Sequence, residues 1–583
     1  MIRAVYNLGR LEELENGNGY DYENPNEKNY YNNIIKIKYD VIDEKVKYKG
    51  LEIEEFSNTK LDKYLYSNGS SRGGDNTPTT IVSNQNEPLK KLMLPIAKIK
   101  LKEFENICEY LKNSEKYNEL EEEIKAVFQD KEGYIITLFV NGKWIGEYQK
   151  IANPLIENND ESAYYMKSIG RSIAEEKICY CCNEKKDKVY GYAGLFPFYT
   201  VDNSGFVAGG FDQNKAWKNY PICPECYRIL NKGKKKLKDG FMELGLGMKY
   251  IIIPKWILPL KEKEEIENYK DVLSELKDKM QLSLGDERRR SLLEQDDTIF
   301  DVMAEMENNL LYNIMFYDDP SSAFRILLNI EDIFPSRLKK IFDVKKEIEN
   351  RKVYKNIKIY KGKVQIGNGL TFTFKTLKEF YSQKDFLTII NSIFVDKKID
   401  YKHIIGSFIE VIIPKLNNNE SCYYNIRNSF ISLEVINKLE LFNKRLKGEV
   451  KKVVEKTEKN KIYLDFFEEH SENFDTDLRR GIFLQGIMVQ KLLNLPEQQG
   501  SKAFHSRLNS LKMNEKIIKR VYSEVIDKLI QYKKRHYYLE IEKLIGNYFA
   551  SANFKGMSRD EMSYYFVLGM NLVGEFKNIE EEK

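Results

Sequence analysis

Apolar and polar residues alternate through GYIITLFVNGKWIGEYQ, the period of two that sets one side of an extended chain against a core. Asn141-Gly142 in its middle supplies the two positive-φ residues of a type I′ turn, so the stretch predicts a β-hairpin. Before it, Leu101–Phe128 predicts helix. Farther along, from about 241 to 455, the apolar spacing is mostly helical, as in DVMAEMENNLLYNIMFY. One β-like break, KIYKGKVQIGNGLTFTFK, interrupts it. Ile518, Val521, Tyr522, Val525, Ile526 and Leu529 then share one helical face. SRDEMSYYFVLGMNLVG opens on a capping box, Ser558 and Glu561, and continues with Met562, Tyr565, Phe566, Gly569, Met570 and Val573 on one stripe. Gly569 on that stripe permits a close helix–helix approach.

These patterns predict an α+β, multi-domain protein. Its expected parts are a mixed α/β N-terminal domain over 1–170, an inserted cysteine-rich module over 171–240, a mostly helical middle domain over 241–455 and an α-helical bundle over 456–583. A chain of 583 residues exceeds what one hydrophobic core serves. Hydrophobic residues at 42% and charged residues at 31% describe a soluble, globular balance. No apolar run reaches the ~18–20 residues that span a bilayer. YIIIPKWILPL is short and broken by Pro254, Lys255 and Pro259, and the N-terminus lacks the apolar core of a signal peptide. A cytoplasmic protein with no membrane partner is expected.

The densest chemistry lies in ICYCCNEKKDKVYG and YPICPECYRIL. Cys179 and Cys182 are two residues apart, and Cys223 and Cys226 repeat the spacing. Each pair puts two thiolates on one side of a tight knuckle, and two knuckles close a tetrahedron, so Zn2+ is the expected ion. Cys181 is an adjacent alternative donor, while Cys108 and Cys422 stand alone as core cysteines. A four-thiolate site has no open coordination position, so its expected role is structural.

No catalytic centre stands out. The four histidines, His403, His470, His505 and His536, are unpaired in spacing and are read as surface or core-edge residues. Phosphate-loop, nucleophile-elbow and clustered-carboxylate signatures are missing. An enzyme is not expected.

A net charge of +4 says nothing about nucleic acid, so local clusters carry that question. Lys232, Lys234, Lys235, Lys236 and Lys238 follow the second knuckle, where a rigid turn would hold their charge against phosphates. In SNGSSRGGDNTPTT, Gly73 and Gly74 let backbone approach a groove closely, and Asn68, Ser71, Asn76 and Thr77 offer hydrogen bonds. Arg72 can pair bidentately with guanine or a phosphate.

Taken together, KYLYSNGSSRGGDNTPTT, the first CxxC with VYG and FPFYTVDNSGF, NYPICPECYRIL with its basic run, and YYFVLGMNL resemble the large subunit of the type I-B CRISPR interference complex, Cascade. The resemblance covers most of the chain, and the paired knuckles are its most specific part. It implies a non-catalytic subunit that contacts the 5′ end of a guide RNA and reads the protospacer-adjacent motif in duplex target DNA. It also implies assembly with the other Cascade subunits, recruitment of a helicase-nuclease, and a C-terminal bundle similar to the small subunit. The alternative is a stand-alone, zinc-stabilised nucleic-acid-binding protein, which would need a compact helix-turn-helix or tandem fingers.

Overall fold

The hairpin predicted around Asn141-Gly142 is the centre of the N-terminal sheet. β1 (Asn33–Ile42), β2 (Lys45–Glu55), β3 (Thr79–Val82), β4 (Tyr134–Val140) and β5 (Lys143–Trp144) form it, in the order β2-β1-β4-β3 with β5 beside β4. Asn141 and Gly142 have φ of 50° and 73°, the left-handed pair that the turn requires. The computed structural model describes residues 1–16, 22–26, 30–68, 75–82, 88–128, 133–154, 163–166, 170–196, 199–201, 205, 207–240, 242–245, 248–258, 263–286, 303–306, 309–318, 324–361, 364–418, 420–443, 450, 454–495, 508 and 511–576.

β4 is enclosed because it pairs on both edges, parallel with β1 and antiparallel with β3. Ile35, Ile37 and Tyr39 share one sheet face with Ile136, Leu138 and Val140. The helices Lys90–Lys98, Lys102–Leu111 and Ser114–Val127 cover that face through Leu92, Ile96, Phe104, Ile107, Leu120 and Ile124. Ile34, Ile135, Tyr64 and Trp144 form a smaller core on the other face. Cys108 packs half-buried at the edge of the larger one.

The chain divides into two compact units. One holds Leu8–Lys236 with Ile2, and the other holds Leu237–Lys583 with Met1 and Arg3–Asn7. In the second, a four-stranded antiparallel sheet runs β11-β10-β9-β8, from β8 (Met242–Gly245), β9 (Met248–Trp256), β10 (Leu310–Asp318) and β11 (Arg325–Ile333). This corrects the helical reading of LLYNIMFY. The run is buried on both faces, so it shows no alternation, and its aromatic and β-branched content suits a central strand. The break read as β is the hairpin of β12 (Lys358–Lys361) and β13 (Val364–Asn368).

Beyond it the unit is helical. Ile518, Val521, Val525 and Leu529 form the buried stripe of the helix Glu515–Gln531. The helix Arg559–Asn571 is buried from Glu561 to Met570 on every face, so the predicted stripe is only part of what it hides. Ser558 caps it by accepting from the Glu561 amide at 3.2 Å. The Glu561 carboxylate does not return to the cap. It takes the buried Arg479 guanidinium at 2.8 Å and the Tyr401 hydroxyl at 3.0 Å, a stronger use of a buried charge.

A second buried network corrects the reading of His470, which is fully enclosed. Its Nδ1 lies 2.6 Å from Glu434, which also accepts from Tyr354 at 2.6 Å and Arg351 at 2.5 Å, while Arg351 forks onto Glu472 at 3.1 Å. His403 and His536 are exposed, and His505 lies outside the described residues. These contacts run across position 455.

Gly569 does permit close approach, and it has a counterpart. A Cβ there would stand 2.0 Å from the Phe483 carbonyl oxygen, and one on Gly486 would stand 2.1 Å from that of Phe566. The helices Asp477–Leu493 and Arg559–Asn571 therefore cross backbone to backbone. Gly569→Val should lower unfolding stability by about 1–3 kcal/mol or more, as overpacking does. Gly574→Val, where nothing lies within 4 Å, should stay near wild type. Urea midpoints check both, and equal losses would mean that the crossing is not the constraint.

Candidate metal centre and nucleic-acid interface

The first knuckle joins β6 (Ile173–Ile178) to β7 (Lys185–Tyr190), a hairpin in the Leu8–Lys236 unit. The Cys179 amide donates to the Glu184 carbonyl at 2.9 Å and the Asn183 amide to the Cys179 carbonyl at 3.0 Å. Asn183, at φ 59°, makes the left-handed step that turns the chain back, a conformation asparagine tolerates. The second knuckle ends where Pro224 begins the helix Pro224–Gly240, a position that suits a residue without an amide proton. Main-chain bonds lash the knuckles together. Tyr180 donates to Pro221 at 2.8 Å, and Tyr190 and Ile222 exchange bonds at 2.8 and 3.0 Å.

The Sγ atoms of Cys179, Cys182, Cys223 and Cys226 consequently all lie within 4.8 Å of one another. Cys179, Cys223 and Cys226 are buried and Cys182 is half-buried. The Cys223 amide also donates to the Cys179 sulfur at 3.4 Å. Charge shows why a cation fits. Hydrogen bonds from Cys181, Cys223 and Cys226 hold Cys179 far below the ordinary thiol range. Donation to Cys179 in turn pushes Cys223 and Cys226 far up. Four sulfurs this close are the donor set that a tetrahedral metal ion takes. Cys181 is outside the four-sulfur set. Its thiol is pushed up to about 12, first by donating to Cys179, and it lies 3.7 Å from the Tyr220 hydroxyl. Cys422, like Cys108, stands apart from the cluster and is buried.

Of the predicted nucleic-acid residues, the lysines stand on the helix that carries Cys226. Lys232, Lys234, Lys235 and Lys236 ride half-buried on the helix that leaves the second knuckle, each engaged within the protein. Lys236 reaches Glu12 at 3.2 Å, and Lys234 stands 5.9 Å from the Phe196 ring centre. Ser71, Arg72, Gly73 and Gly74 lie outside the described residues, but the base of their loop is well defined. The Asn76 amide donates to the Ser67 carbonyl at 2.9 Å, and its side chain donates to the Asn68 carbonyl at 2.9 Å. Thr77 is buried.

Glu23, which sequence reasoning missed, is bonded to one of these elements and feels the charge of the other. Its carboxylate accepts the Asn68 amide at 2.7 Å and is drawn on by the charge of Lys235. Burial nonetheless holds its carboxyl above the ordinary range. Glu23 sits in NGNGYDYENPNEKNYYNN, which reads as an ordinary surface insertion. Nothing in its spacing points to a partner 45 residues away.

The three parts of the chain match three models of one family. Residues 1–157 match the N-terminal domain of the CRISPR-associated protein TM1802, residues 176–333 its central domain and residues 372–583 its C-terminal domain. The chain belongs to the CRISPR-associated TM1802 family. It is the large-subunit family whose motifs the sequence resembles. No curated protein gives a significant match. No described helix of this family member is long and apolar enough to cross a membrane.

Cys182→Ala and the pair Cys223→Ser, Cys226→Ser should each abolish stoichiometric metal, while Cys181→Ala keeps it. Elemental analysis of the purified variants checks this, and metal loss in Cys181→Ala alone would reassign the ligand set.

Proposed function

We propose that this chain is the non-catalytic large subunit of a type I-B RNA-guided antiviral surveillance complex. In that role it contacts the guide RNA near its 5′ end and reads the protospacer-adjacent motif on target DNA. It also binds the other Cascade subunits and helps recruit the helicase-nuclease. The cysteine cluster holds a structural Zn2+ ion, for which four thiolates are the usual donor set.

The observation that carries this reading is the convergence on Glu23. The Asn68 amide at the base of the loop bonds the Glu23 carboxylate, and the charge of Lys235, on the helix that begins at the second knuckle, acts on the same group. Guide pairing reads the target sequence, so such a protein needs shape, phosphate contacts and a few groove contacts. In this reading Arg72 and the bare backbone of Gly73 and Gly74 meet a groove, and the lysine helix supplies phosphate contacts. Family membership supports the CRISPR setting.

Tagged purification of the chain from cells carrying its gene neighbourhood should recover short repeat-flanked RNAs with other Cascade subunits. Recovery of a lone, RNA-free protein would discard the reading in favour of a free-standing binder. Within the assembled complex, Arg72→Ala with Gly73→Pro should weaken target-DNA binding about tenfold, within the range of one lost bidentate contact, and leave guide-RNA assembly intact. Unchanged DNA affinity would remove the loop from the interface.

A further inference from the structure

Beside the metal centre, Trp217 is held in place by its backbone and left partly open by its ring. It lies in the short 3-10 helix Gln213–Lys218, whose Ala216 is fully buried against Val201 and Val207. The Trp217 amide donates to the Ser172 hydroxyl at 3.3 Å. Gly191 makes room for that backbone, since a Cβ there would stand 2.1 Å from the Trp217 nitrogen. The indole itself is only half-buried, whereas Trp144 and Trp256 are 7% and 6% exposed. Two ammonium groups sit on its ring, Lys177 at 5.6 Å from β6 and Lys218 at 5.7 Å from the adjacent residue.

The charges around it are unbalanced in a particular way. Neighbouring lysines are neutralised: Lys185 by Glu176, Lys186 by Glu184 at 2.9 Å and Lys215 by Asp212 at 3.3 Å. Lys177 and Lys218 are exposed, and neither forms a salt bridge among the described residues, although the neighbouring Glu176 carboxylate feels the charge of Lys177. Lys177 also stands directly across the hairpin from Lys186, a like-charge placement that weakens strand pairing. A flat aromatic face under two exposed cations matches an unpaired nucleotide. The base stacks on the ring, and the ammonium groups leave the π face for the flanking phosphates.

We propose that Lys177, Trp217 and Lys218 form a stacking platform for single-stranded nucleic acid, separate from the Glu23 convergence. The idea rests on the proposed nucleic-acid role only in naming the occupant.

The test uses the full-length, metal-loaded chain titrated with single-stranded oligothymidylate while tryptophan emission is followed. Emission should be quenched, because Trp217 is the open one of the three tryptophans. Trp217→Phe should remove the quenching, and Trp217→Ala should weaken binding about tenfold, the scale of one lost stack. Lys177→Ala with Lys218→Ala should lower the slope of log affinity against log salt by about 1.4, two phosphates on a single strand. Those two surface lysines decide the matter if a Trp217 variant loses its metal or its fold. Unchanged emission, or unchanged affinity and salt slope in the lysine variant, would overturn the proposal. So would shielding of Trp217 by a partner protein with no response to oligothymidylate. A chain that carries guide RNA yet shows no quenching refutes this platform alone. A chain that quenches but never assembles with guide RNA refutes the surveillance reading alone.

Discussion

Four sulfur atoms within 4.8 Å of one another are the constraint on which the cysteine-rich part of this protein depends. Thiolates at that separation repel. A cation held by all four would turn the repulsion into a clamp. Everything nearby is referenced to that clamp: the β6–β7 hairpin, the start of the lysine helix at Pro224, and the strand-like exchange between Tyr190 and Ile222. The lysines therefore leave the knuckle on one helix, and the charge of Lys235 acts on Glu23, whose carboxylate accepts the Asn68 amide at 2.7 Å.

How much of this was legible in the sequence varied with how local the cause was. The Asn141-Gly142 turn, the Ser558 cap, the paired CxxC knuckles and the close-approach role of Gly569 each depend on a few adjacent residues, and each was readable. The sheet around β10 was not. A strand buried on both faces has no alternation, and LLYNIMFY satisfies helical spacing as well as it satisfies a central strand. His470 was misread for a related reason. Its burial is set by Glu434 and Arg351, which lie 36 and 119 residues away. The candidate site was readable as two separate motifs, while their junction at Glu23 and the Trp217 cluster required the folded chain.

The two units solve the burial of polar groups differently. Around the cysteines, main-chain bonds between the two knuckles fix the backbone, so small aromatic and charged clusters can remain near the surface. In the helical unit, whole ionic networks go inside, with Arg351, Glu434 and His470 in one and Arg479, Glu561 and Tyr401 in the other. A buried charge stripped of its partner is costly, so such networks specify one arrangement of helices over near alternatives. The second network is why Glu561 gives up its capping role.

The helix Arg559–Asn571 has no solvent-facing side, and the helices that receive it, Tyr401–Asn417 and Asp477–Leu493, are made earlier. During synthesis the groove between them stays open, with Phe483 and Gly486 exposed and Arg479 lacking Glu561. A growing chain of this protein thus carries an unfilled, charged slot until Arg559–Asn571 emerges, an exposed surface of the kind that invites misassembly.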